Sequence, residues 1–68
     1  MKKNKISEYC IKAGVSQAQL AAILGVSYQQ IQKWEKSERI PSVYNAVRIA
    51  RALNATVEEV FPLNDEQD

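Results

Sequence analysis

Residues 16–36 read SQAQLAAILGVSYQQIQKWEK, and this run decides the fold. It holds two short helical patterns joined by a tight turn at Gly25. Each pattern opens on a capping-box signature, Ser16 with Gln19 and Ser27 with Gln30. In that pairing the hydroxyl accepts from an orphan backbone N–H while the amide reaches back to the cap. Leu20, Ile23 and Leu24 share one face of the first pattern, and Ile31 and Trp34 share one face of the second. Ala21 is small where the two axes have to approach. Gly25 suits a turn that needs positive φ, a conformation that costs any residue with a Cβ. Two short helices packed across a tight turn are therefore expected.

The second helix carries a polar face that packing does not explain. At about 100° per residue from Tyr28, Gln32, Lys36, Gln29 and Lys33 fall between about 40° and 140°. Ile31 and Trp34 fall on the opposite side, and Glu35 lies at the edge of the outward arc. A solvated helix face usually mixes signs, because Glu–Lys pairs support helicity and solubility. A face of amides, lysines and one phenol suits base edges and phosphates, since Gln bridges adenine N6 and N7 and Lys donates to guanine O6 and N7. The plain alternative is a polar surface that lacks carboxylates by accident. The pattern is that of a helix-turn-helix motif, whose second helix commonly enters the DNA major groove.

With these residues in place, the chain resembles the Cro/repressor-type (lambda-repressor-like, XRE) helix-turn-helix family from about Ile6 to Phe61. The resemblance rests on Ser16-Gln17, Leu20-Ala21, Leu24-Gly25-Val26-Ser27, Ile31 and Lys33-Trp34-Glu35. It continues through Pro41-Ser42, Ile49-Ala50, Ala52-Leu53 and Val57-Glu58-Glu59-Val60-Phe61. It implies an all-α, five-helix DNA-binding domain with the motif formed by helices 2 and 3. It further implies that Gln17 clamps the DNA backbone and steadies the first exposed side chain of helix 3. Three positions depart from the family pattern. Cys10 stands where an Arg often pairs with the equivalent of Glu35, so Glu35 needs another donor (Lys12, Lys36 or backbone) or water. Tyr28 replaces the first of a Gln pair, so bidentate reading of adenine does not carry over. Ser37 stands where Gly is usual after helix 3, and positive φ there costs about 1 kcal/mol.

Composition narrows the class. Sixty-eight residues suffice for one domain, near the lower limit for a core without disulfide or metal. Cys10 is the single cysteine and there is no His, so neither an internal disulfide nor an ordinary metal site is expected. No apolar run approaches the roughly 18 residues of a membrane span, and Met1-Lys2-Lys3-Asn4-Lys5 leads into no signal-peptide core, which points to the cytoplasm. Net charge is only +1, but residues 1–57 hold all nine Lys and Arg against Glu8, Glu35 and Glu38, a balance of +6. Residues 58–68 hold five acids and no base, and 64–68 form an acidic tail. A basic body with an acidic terminus orients approach to a polyanion.

The chain reads as one domain over 1–68, with its core over about 6–61. Helix 1 spans about Asn4 to Ala13, with Ile6, Tyr9, Cys10 and Ala13 near one face and Gly14 as its stop. Pro41 breaks the pattern at Ile40. Helix 4 starts from the cap Ser42 and buries Val43, Ala46, Val47, Ile49, Ala50 and Leu53. Thr56 with Glu59 opens a short helix 5 that ends before Pro62.

Roles follow. Tyr28, Gln29, Gln32 and Lys33 are expected at base edges. Ser16, Gln17, Lys36, Arg39 and Ser42 are expected at phosphates, with free N–H groups at two helix starts. Lys2, Lys3 and Lys5 form either a phosphate-touching arm or a frayed start. Val57, Val60, Phe61 and Leu63 offer an apolar patch for a homodimer, since one small domain reads too few base pairs to single out a site. The expected function is a sequence-specific transcriptional regulator, a repressor occupying a pseudo-palindromic operator on double-stranded DNA. An antitoxin or a restriction–modification controller uses the same domain, and a protein-interaction module is the alternative of another class. No cofactor, small-molecule ligand, membrane contact or enzymatic activity is expected, because the carboxylates are scattered and Cys10 has no base beside it.

Overall fold

The computed structural model describes residues 4–62 and contains five helices. They are α1 (Ile6–Ala13), α2 (Gln17–Leu24), α3 (Tyr28–Glu35), α4 (Val43–Ala52) and α5 (Val57–Val60). The described residues contain no strand, so the all-α expectation holds. Leu63 and the acidic tail at 64–68, like Lys2 and Lys3, lie outside the described residues.

Caps set the boundaries. Ser16 and Thr56 complete reciprocal boxes with Gln19 and Glu59, while Ser42 accepts from the Asn45 N–H. At α3 only half of the expected box forms, with Ser27 Oγ accepting from the Gln30 N–H at 3.1 Å. Helix α1 starts later than expected, because Lys5 provides no side-chain cap and Asn4 Oδ1 instead accepts from the Ile6 N–H at 3.1 Å.

Four helices end in one way. At Gly14, Gly25, Ser37 and Asn54 the chain turns left-handed, with φ of 71°, 73°, 63° and 57°. In each case the following N–H reaches back five residues: Val15 to Cys10 O, Val26 to Ala21 O, Glu38 to Lys33 O and Ala55 to Ala50 O, at 2.8–3.0 Å. This is the Schellman arrangement, which satisfies carbonyls that the helix leaves open. Ser37 thus adopts the positive φ that its departure from Gly makes costly, and Asn54 does the same, a conformation that Asn tolerates better than most residues.

The core gathers Ile6, Leu20, Ile31, Trp34, Ile49 and Val60, each at most 2% exposed, with Cys10, Leu24 and Leu53 around them. Full burial of an aliphatic side chain contributes about 1.5–3 kcal/mol, so this cluster rather than helix propensity holds elements of eight residues. Helix α2 packs on α3 and α4, and α4 packs on α5. The Lys5 N–H donates to the Val60 carbonyl at 2.8 Å and ties the start of α1 to α5.

Four side chains expected on apolar faces or in the core are exposed or only half-buried. Ile23 is 54% exposed, because the buried arc of α2 runs through Leu20, Leu24 and Ala21 and leaves it about 60° outside. Val43 is 82% exposed, since the first turn of α4 extends past the edge of the core. Ala13 is exposed at the end of α1, and Val47 is half-buried.

Candidate nucleic-acid interface

Helix α3 is presented by the two side chains it buries. Ile31 and Trp34 are 0% and 2% exposed, so the opposite side of an eight-residue helix faces outward. There stand Tyr28, Gln29, Lys33 and Lys36, all exposed, with Gln32 half-exposed beside them. The structure therefore brings the expected base-edge residues onto one face. Gln32 Nε2 donates to the Tyr28 hydroxyl at 3.3 Å, one helical turn away. A hydroxyl that accepts from Gln32 keeps its own proton for an outside acceptor such as a purine N7.

Two helix starts accompany this face. At α2, the box engages the Ser16 N–H and the Gln19 N–H, at 2.8 and 3.0 Å. The Ser16 hydroxyl is exposed and retains its proton as a donor. At α4, exposed Ser42 accepts from the Asn45 N–H at 3.2 Å. Arg39 is exposed in the loop between α3 and α4, and its N–H donates to the Lys33 carbonyl at 3.3 Å. Because Lys33 O also accepts from Glu38, the loop that carries Arg39 folds back on the helix that carries Lys33.

Glu35 has a partner that the sequence reading did not name. Gln17 Nε2 donates to Glu35 Oε2 at 2.6 Å, linking the start of α2 to the end of α3. Lys12, one of the donors considered, lies instead over the Tyr9 ring at 4.8 Å from its centre. The available signal was Cys10 itself: with no cation at that position, the donor to Glu35 comes from another residue, here Gln17. A second missed contact is Asn4 Nδ2 to the Trp34 carbonyl at 2.6 Å, which holds α3 from the other side. Burial pushes the Cys10 thiol above its ordinary value, and the Glu35 charge adds to the shift.

The expected dimer patch needs correction. Val60 is 0% exposed within its own domain, so its side chain belongs to the core and not to the apolar surface. Phe61 is half-buried and Val57 is 37% exposed. Together with Ile40, Pro41, Val43 and Ala46 they line an apolar groove of about 540 Å³, with Glu58 at its rim. Ile40 and Val43, 89% and 82% exposed, stand up from its edge. The apolar surface thus extends from α5 onto the loop before α4, where the sequence predicts only the break at Pro41.

Among the described residues no group of His, Cys, Asp and Glu could hold a metal ion, and no helix is long and apolar enough to cross a membrane.

Comparison with known proteins places this geometry in a family. A family model described as Helix-turn-helix matches residues 6–60. The chain is 36% identical over 64 residues to an uncharacterized HTH-type transcriptional regulator, YgzD, of Bacillus subtilis, covering 94% of this chain and 97% of that protein. It is 37% identical over 65 residues to an uncharacterized HTH-type transcriptional regulator of Archaeoglobus fulgidus, covering 96% and 93% of the two chains. It is also 38% identical over 45 residues to the cryptic phage CTXphi transcriptional repressor RstR of Vibrio cholerae, covering 66% of this chain and 40% of that protein.

Proposed function

We propose that this chain, which belongs to the helix-turn-helix family of DNA-binding transcriptional regulators, is a repressor that occupies a pseudo-palindromic operator as a homodimer. The observation that supports this most is the outward face of α3. Tyr28, Gln29, Gln32 and Lys33 occupy it while Ile31 and Trp34 fix the helix from behind. Base edges in the major groove are met by donors and acceptors of this kind. Lys36 and Arg39, with the starts of α2 and α4 at Ser16, Gln17 and Ser42, supply phosphate contacts that set register. Repression is the activity named for the cholera phage relative. Acting by occupancy, the protein works in the cytoplasm beside its DNA and needs no catalytic group.

The partner across the groove is a second copy. A surface that carries both a groove and exposed Ile40 and Val43 offers knob and hole together, as a two-fold interface requires. Two domains on opposite half-sites also double the sequence read. DNase footprinting on the DNA upstream of the chain's own gene tests this reading. Two protected half-sites centred about ten base pairs apart are expected. Protection of a single half-site, or of none at any position, counts against it.

A further inference from the structure

We propose that Glu35 is a positioning residue for DNA binding: its carboxylate holds the Gln17 amide so that Gln17 meets a phosphate already oriented. The inference rests on the DNA-binding reading and deepens it.

A carboxylate offers only acceptors, so the Gln17 amide must turn its nitrogen toward Glu35. The two groups lie 2.6 Å apart, a short charge-assisted bond that competes well with water. One N–H is thereby engaged. The second N–H, in the plane of the same amide, is left for an outside acceptor. Gln17 is the first residue of α2, where backbone N–H groups and the helix dipole favour an anion. A long side chain in water samples many rotamers, and ordering it on binding opposes the bond it makes. Anchored by Glu35, Gln17 has lost that freedom before DNA arrives.

The anchor is itself fixed. Glu35 is half-buried at the end of α3, next to Trp34, whose side chain is in the core and whose carbonyl is held by Asn4 at 2.6 Å. Lys12 lies over the Tyr9 ring, and buried Cys10 carries no cation. The partner of Glu35 is thus a neutral amide, which leaves Glu35 able to orient a group that DNA contacts. A cation in that place would satisfy the carboxylate internally and leave Gln17 to water.

The test is fluorescence anisotropy of the full chain on a duplex of random sequence, because phosphate contacts carry no sequence. Gln17→Ala is expected to weaken binding about three- to tenfold per bound copy, the loss of one ordinary hydrogen bond in each. Glu35→Ala is expected to match it, and the double variant to be no weaker than either single one. Glu35→Gln, whose carbonyl still accepts from Gln17, is expected to bind within about twofold of wild type. In wild type, the Gln17 side-chain NH₂ signal in NMR is expected to move on adding duplex, a readout that does not depend on any variant folding. An unmoved Gln17 signal, unchanged binding by Glu35→Ala, or losses that multiply in the double variant would overturn the proposal while leaving DNA binding intact. Wild-type protein that binds no duplex would overturn it together with the reading on which it rests.

Discussion

Replacing Ser37 by Gly is expected to stabilise the domain, and the size of the effect follows from the backbone. Ser37 ends α3 at φ 63° in the same Schellman turn that Gly25 makes at φ 73°. A residue with a Cβ costs about 1–2 kcal/mol in that region. Gly returns about 0.5–1 kcal/mol of the gain, because it loses more freedom on folding. The net stabilisation is about 0.5–1 kcal/mol, and a domain of this size shifts by about 4–8 °C per kcal/mol. A rise in Tm of about 2–8 °C is therefore expected in a circular-dichroism melt. Ser37→Ala, which removes the hydroxyl and keeps the Cβ, separates the backbone effect from any bond the side chain makes. The mirror experiment is Gly25→Ala. No atom lies within 4 Å of a Cβ built there, so the penalty is conformational only, about 1 kcal/mol. If Ser37→Gly left Tm unchanged or lowered it while Ser37→Ala had no effect, the strain argument would be refuted. Because the turn is retained, DNA affinity of Ser37→Gly should equal that of wild type.

Lys33→Ala is expected to cost about 1–3 kcal/mol on the operator and to relax preference at one base pair of each half-site, in anisotropy titrations against single-base operator variants. Arg39→Ala should weaken operator and random duplex alike; an equal loss from Lys33→Ala on both would reverse the assignment. Val43→Glu places a charge on the groove rim at an 82% exposed position, so it should block dimerisation in sedimentation velocity without lowering Tm appreciably. The Cys10 thiol is shifted upward from 9.0 by burial and by Glu35. Below pH 9.0 it is protonated in both folded and unfolded chains, and its contribution to stability is complete. Above 9.0 only the unfolded chain ionises it readily, so stability should fall as pH rises toward the higher folded value, seen as a declining urea midpoint. For the same reason native Cys10 should resist iodoacetamide and react on unfolding.

Much of this was legible in the residues, and for identifiable reasons. Local chemistry fixes a cap wherever the hydroxyl sits next to the helix start, so Ser16, Ser42 and Thr56 could be read directly. Gly14 and Gly25 announce their turns, whereas Asn54 ends α4 in the same way with no comparable signal, because Asn tolerates positive φ without demanding it. The face of α3 was readable because Ile31 and Trp34 leave it one choice of orientation. Ile23 was misplaced because periodicity gives an arc but not its centre; the positions of α3 and α4 set that centre. The Gln17–Glu35 bond joins residues 18 apart, and its partner choice depends on an inter-helix geometry that spacing does not contain. Ile40 was hidden for a similar reason: a loop residue acquires a groove only when α4 and α5 are placed around it.

The central claim is that the α3 face and its flanking cations bind duplex DNA. Its most direct test is anisotropy of the wild-type chain on random duplex and on its own upstream DNA over a series of salt concentrations. If each copy neutralises about three to five phosphates, the dimer should give a log–log salt slope of roughly −5 to −9, with tighter binding to the upstream DNA at every salt. Weak binding with no salt dependence, equal on both duplexes, would contradict the account.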